Sequence, residues 1–402
     1  GLACSRAPSQ PDASSWCVRR QLCRESDRAC DSPITQLGFE EQRRFGAAGM
    51  GESDQGMDFL DCLGPDTSAT VFTLLDDPAD LARASAVSRS WRRFVIENQF
   101  SKIQCLRAYP EVASFTDIEV GSSGGVGQDD RTCARAEFEK LERDHRVYMH
   151  LGHGLLLPYN TKNCINRCIG PSSTDRYPDE AMENTLTTTD RVGRTPSYWS
   201  SRGHRDPVAM VEFLIYGLQS DLCLVNEIKV KPMKVFFRDD QPIYSAKRVR
   251  FQMGYPKSPL QSETLVYGEN EGWHIADSNY IWTYKSPEFT MLQENVLQSF
   301  KLPHPVLCIG GVVKIELLGG VVKDAYDGRY YICVSHVQVM GKPLSRELRV
   351  APRGNGVVLS YYADPRGCGM PHSESSGDDG HSNCTALRRG PGTLLWLEEQ
   401  EN

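Results

Sequence analysis

The sequence predicts a multi-domain α-plus-β chain: a small all-helical block followed by a larger antiparallel β-sandwich of jelly-roll type. Three observations carry this. Apolar residues recur at steps of three and four from Leu81 to Val95. From about Arg205 the pattern changes to alternation, as in Glu227-Ile228-Lys229-Val230-Lys231 and Arg248-Val249-Arg250-Phe251-Gln252-Met253. Gly and Pro then punctuate the alternating runs, as at Lys231-Pro232, Gly254-Tyr255-Pro256, Gly319-Gly320 and Asp327-Gly328. At 402 residues the chain has room for two or three domains of about 150 residues each.

Five segments follow in order. Residues 1–56 are rich in Ser, Pro, Arg and Gln and read as a disordered extension. Met50 and Met57 stand just before the first organised segment and are read as candidate starts, with the preceding residues adding nothing. Residues 57–108 form the helical block. There Asp77 is placed to cap a first turn, Pro78 to open it and Asp80 to favour its positive end. Residues 109–160 read as a linker, flexible at Gly121–Gly127 and helical near 135–150. The sandwich is expected over 161–346, with strands at Val211–Tyr216, Gly311–Leu317 and Tyr330–Val339 besides the two above. Residues 347–402 read as a disordered tail.

Composition excludes several classes. A net charge of −7 argues against a general nucleic-acid binder. No stretch approaches the roughly 20 apolar residues of a membrane-spanning helix. The segment Gly1–Gln21 lacks the apolar core of a secretory signal. The 14 cysteines are therefore expected reduced, in the cytoplasm, the nucleus or both.

In the helical block, Leu63-Gly64-Pro65-Asp66, Val71-Phe72, Leu74-Leu75-Asp76-Asp77-Pro78-Ala79-Asp80-Leu81 and Val87-Ser88-Arg89-Ser90-Trp91-Arg92 resemble an F-box. Thr67 and Ser68 stand where the family has paired leucines. The resemblance implies docking on the Skp-type adaptor of a cullin–RING (SCF) ubiquitin ligase. Leu63, Pro65, Val71, Phe72, Leu74, Leu75, Pro78, Leu81, Val87, Trp91 and Arg92 are the expected contacts. Two or three short helices cannot bury so much apolar surface alone.

The larger block has its own resemblance. Ser172-Ser173, Tyr177-Pro178-Asp179-Glu180-Ala181, Tyr198-Trp199-Ser200-Ser201-Arg202-Gly203, the strand from Val211 and the run Tyr330–Gly341 are similar to galactose-binding-like, discoidin-type domains. The two blocks in this order resemble plant-type F-box proteins with a C-terminal sandwich. Loops at one end of such sandwiches bind ligands. The polar and aromatic candidates here are Tyr198, Trp199, Arg202, His204, Trp273, His274, Asn279, Tyr280, Trp282 and Tyr284, whose rings suit sugar stacking or peptide anchoring. A buried place in the core is the competing expectation for Trp199.

No catalytic residues, cofactor or metal are expected. His145, His150, His153, Cys164 and Cys168 match no compact zinc spacing. No nucleophile elbow, dinucleotide fingerprint or His-Glu-x-x-His pattern is found. The expectation is a non-catalytic receptor in which the F-box holds the ligase and the sandwich captures a target, glycosylated or not. The alternative is a lectin-like carbohydrate-binding protein without a ligase role. A hydrolase built on the sandwich has little residue support.

Overall fold

Helix α1 (Phe59–Thr73) opens at Asp58, whose carboxylate accepts from the Leu60 amide at 3.0 Å. It kinks at Gly64, where φ is +72°, a conformation that glycine takes without Cβ strain. Pro65 restarts the helix at a position where its missing N–H removes no hydrogen bond. Helix α2 (Pro78–Val87) is capped by Asp77, which accepts from Ala79 N at 2.8 Å, as the sequence predicts. Ser88 then breaks the helical path with extended backbone (φ −154°, ψ 170°) and caps α3 (Arg89–Glu97) through Trp91 N. Helix α4 (Phe100–Ala108) completes the block.

The break at Ser88 corrects the expected continuous stripe. Val87 leaves it and is 61% exposed, while Ile96 is fully buried. Phe72, Leu81, Val95 and Phe100 form the small core, and Phe72 contacts the rings of Trp91, Phe94 and Phe100 at 5.4 Å each. Met149 of α5 (Cys133–Leu156) packs against the same core.

The structure is a computed structural model that describes residues 58–121, 133–258, 266–268, 272–354 and 356–362. These all belong to one compact unit starting at Asp58. The disorder expected at 1–56, the Gly-rich run 122–127 and the end of the chain from 363 lie outside the described residues.

The main strands are β1 (Phe115–Val120), β2 (Ile165–Pro171), β3 (Val211–Leu218), β4 (Leu222–Pro232), β5 (Ala246–Pro256), β6 (Tyr280–Lys285), β7 (Gln298–Ile309), β8 (Val312–Gly320), β9 (Cys333–Pro343), β10 (Leu348–Arg353) and β11 (Gly356–Tyr361). One antiparallel sheet runs β6-β5-β8-β3-β2 and the other β7-β4-β9. Ile315 of β8 lies opposite Leu214 on one side and Phe251 on the other. The inner faces bury Trp199, Leu214, Phe251, Ile315, Val337 and their neighbours, so each strand expected from alternation lies in this sandwich. On the reverse face of β8, Lys314 and Glu316 are buried but paired. Lys314 Nζ reaches Asp277 and Glu316 at 2.9 and 3.1 Å, and Glu316 accepts from Arg250 and Gln252 at 2.6 and 2.7 Å.

Two expected boundaries change. Residues 348–353 and 356–361, placed in the tail by composition, form β10 and β11, and β11 pairs in parallel with β1 from the expected linker. The α5 helix extends past 135–150 at both ends. Its Val147, Tyr148, Leu151 and Leu155 share a second core with Cys105 of α4, Leu222, Leu224, Leu307 and Ile309 of the sandwich, and Leu348, Val357 and Leu359. The small helical block and the sandwich thus meet through packed apolar side chains instead of a free tether.

Candidate functional site: an apolar helical face and a tyrosine-lined cavity

The helical block sorts its expected contacts into two groups. Phe72, Pro78 and Leu81 are buried, and Leu75 and Trp91 are half-buried in the same cluster. They hold the block together. Leu63, Pro65, Val71, Leu74 and Val87 lie exposed, with Leu74 at 72%. Arg92 is exposed and pairs with Glu142 of α5 at 2.8 Å. Gln104 and Arg107 of α4 fix the turn that presents Leu74. Gln104 Nε2 donates to Leu75 O at 2.7 Å, and Arg107 donates to Leu75 O at 3.1 Å and to Asp76 at 2.6 Å.

Trp91 has a structural task that the sequence did not reveal. Its Nε1 donates to Asp58 at 2.7 Å, the same carboxylate that caps α1. One acidic residue therefore ties the start of α1 to the first turn of α3.

The sandwich residues expected to form one recognition cluster are divided among several places. Trp199 is fully buried and donates to Ser173 O at 3.0 Å, so it belongs to the core and offers no surface. Tyr280 is also buried; its ring stacks on Trp282 at 5.3 Å, and Trp282 lies over Lys314 at 4.9 Å. Trp282 Nε1 donates to Asp277 at 3.0 Å. Asn279 and Tyr284 are in the same region, Asn279 in the turn before β6 and Tyr284 within it. Trp273 lies on the short strand Gly272–His274; its side chain falls outside the described residues.

Arg202, His204 and His274 line a cavity of about 570 Å³. Its floor is Glu212, which accepts from Ser172 and from Ser173 (2.8 Å), with His204 Nε2 at 2.6 Å. Both serines bond to the carboxylate, so neither is set against the imidazole as a nucleophile. The zinc candidates are also separated by their partners: His145 Nδ1 is 3.1 Å from Ser101 Oγ, and His150 is 3.2 Å from Glu347. Among the described residues, no three His, Cys, Asp or Glu side chains gather as a metal site requires.

Tyr198 lines a different cavity, of about 370 Å³, at the loops between strands. Sequence reasoning missed most of its wall. Phe237, Arg238 and Tyr244 come from the β4–β5 connection, and Asp324, Tyr326, Asp327 and Tyr331 from the β8–β9 connection. Tyr326 is 87% exposed, and the Arg238 guanidinium sits 4.6 Å from its ring centroid. Arg238 and Tyr244 both donate to Asp324, the latter at 2.6 Å. Burial pushes that carboxyl up, but these donors and the amides of Tyr326 and Asp327 hold it down at about 2. The available signal was aromatic residues beside Asp in turns, as in Phe236-Phe237-Arg238-Asp239-Asp240 and Tyr326-Asp327-Gly328.

Residues 65–107 match the F-box-like family. F-box protein At4g00755 of Arabidopsis thaliana is 43% identical over 319 residues, covering 77% of this chain and 84% of its own length. The chain belongs to the F-box proteins. The F-box implies a Skp1-type adaptor as partner and a substrate-adaptor role in SCF ubiquitin ligases. Among solved structures, the family 32 carbohydrate-binding module of C. perfringens NanJ in complex with galactose is similar at a TM-score of 0.26 and 12% identity, over 42% of this chain and 90% of that one. Allantoicase of Saccharomyces cerevisiae is similar at 0.29 and 12%, over 47% and 51%. Likeness of this size says nothing of what the F-box protein binds. Among the described residues no helix is long and apolar enough to cross a membrane.

Proposed function

We propose that this F-box protein is a non-catalytic substrate receptor. Its exposed helical residues dock the Skp-type adaptor, and the tyrosine-lined cavity captures the target. The observation that carries the first half is the sorting of the F-box residues. Phe72 and Leu81 close a core while Leu63, Val71, Leu74 and Val87 stand in solvent, an arrangement without benefit to the isolated chain. A partner that covers such aliphatic anchors gains about 1.5–3 kcal/mol for each one fully buried. The second half is supported by the cavity's position at the strand-connecting loops and by its exposed rings. The mechanism is proximity, since a held target presents its lysines to the charged ubiquitin carrier at high effective concentration.

Co-expression with a Skp-type adaptor tests this. The wild-type chain should co-elute with the adaptor, with or without added galactose. Val71→Glu combined with Leu74→Glu should elute alone with an unchanged melting temperature. Co-elution of the double variant would refute the docking face.

A further inference from the structure

The cavity that we assign to the target also indicates the chemistry of what it takes, and this step rests on that assignment. Three tyrosine hydroxyls on its wall each donate to a carboxylate: Tyr198 to Glu180 at 2.6 Å, Tyr244 to Asp324 at 2.6 Å and Tyr331 to Asp327 at 2.5 Å. A phenol has one proton to give, so these donors are taken and the rings have mainly apolar face left to offer. Acceptors, by contrast, are in excess. Glu180 lines the cavity at 9% exposure, and its Oε2 is buried without a partner. Burial raises its carboxyl, as expected for an acidic group short of donors. Asp175 adds a fourth carboxylate, 3.9 Å from the Arg176 guanidinium, and the other guanidinium in the wall, Arg238, is held by Asp324 and Asp240, which leaves Glu180 Oε2 as the acceptor short of a donor.

A neutral polyol would need donors from this wall as well as acceptors. A cation needs acceptors and aromatic faces, which are present. We infer that the cavity captures its target through a donor-bearing cation, a lysine or arginine side chain whose N–H groups satisfy Glu180 and whose stem lies against aromatic ring faces. The free acceptor requires an N–H, which sets the site apart from one for a quaternary ammonium.

Fluorescence-anisotropy titration of the full chain tests this with the acetylated, amidated peptide Gly-Ser-Gly-Arg-Gly-Ser. Comparison peptides carry lysine, trimethyl-lysine or citrulline in place of arginine. The arginine and lysine peptides should bind, with the citrulline and trimethyl-lysine forms at least about tenfold weaker. Glu180→Gln keeps an acceptor for Tyr198 but removes the charge, and should weaken the arginine peptide about tenfold without lowering the melting temperature. Tyr326→Ala, at an exposed ring, provides a second variant whose folding is not in question and should also weaken binding. Equal binding of the citrulline peptide, tighter binding of the trimethyl form, or displacement by galactose would overturn the inference. The two readings fail differently. Target capture lost in Tyr326→Ala without any basic-peptide binding sinks the cation and leaves the target site standing. Basic-peptide binding with target capture unchanged in Tyr326→Ala sinks the target site.

Discussion

At the scale of single residues, Trp91, expected to meet a partner, and His145, for which no metal role was expected, both serve the fold. Trp91 packs edge-on to Phe72 and reaches Asp58, so its removal acts through stability. Trp91→Phe keeps an aromatic ring against Phe72 and loses the hydrogen bond, the latter a cost of about 1 kcal/mol. Trp91→Ala also opens a cavity and should cost about 2–4 kcal/mol. Urea titrations of the two variants would separate these costs, and a Trp91→Phe chain as stable as the wild type would contradict the role of the Asp58 bond. His145 is buried against Ser101, and burial, then the Arg92 guanidinium, lowers it from 6.5 to about 4 despite the opposing charge of Glu142. The unfolded chain therefore binds this proton more readily. The neutral imidazole contributes stability above pH 6.5, and that contribution is lost as pH falls toward 4. The melting temperature should drop between pH 7.5 and 5, and His145→Gln should flatten the drop; parallel curves would contradict it.

At the scale of elements, local signals were legible and pairing partners were not. Asp77-Pro78 announces α2 because capping involves neighbours in sequence. The alternating runs announce β4 and β5 for the same reason. The break at Ser88 was missed because three- and four-residue spacing continues across it. β10 and β11 were missed because they are short and follow Gly341-Lys342-Pro343, which reads as a turn although it closes β9, and β1, the partner of β11, lies more than two hundred residues earlier. Their cost of removal is testable. Leu348, Val357 and Leu359 are buried, and at about 1.5–3 kcal/mol each their loss rivals the whole stability of an ordinary domain. A chain ending at residue 347 should unfold well below the wild-type midpoint or not fold. An unchanged midpoint would contradict the shared second core.

At the scale of the molecule, the order of the blocks and the F-box family were readable, whereas the cavity proposed for the target was not. Tyr198, Tyr244 and Tyr331 come from three separate connections, and only the closed sandwich brings them together. The fusion through α5 has a functional consequence. Because apolar side chains of α5 pack against both the F-box and the sandwich, the cavity keeps a fixed relation to the proposed docking face. Target lysines would then be presented from a defined position instead of a swinging tether. The central claim is that Leu74 and Val87 are exposed because an adaptor covers them. Isothermal titration of a purified Skp-type adaptor tests it most directly, with the wild-type chain and a Leu74→Glu, Val87→Glu variant of equal melting temperature. The account predicts a one-to-one complex for the wild type and affinity lower by about a hundredfold or more for the variant. Equal affinity of the two chains, or no complex with the wild type, would contradict it.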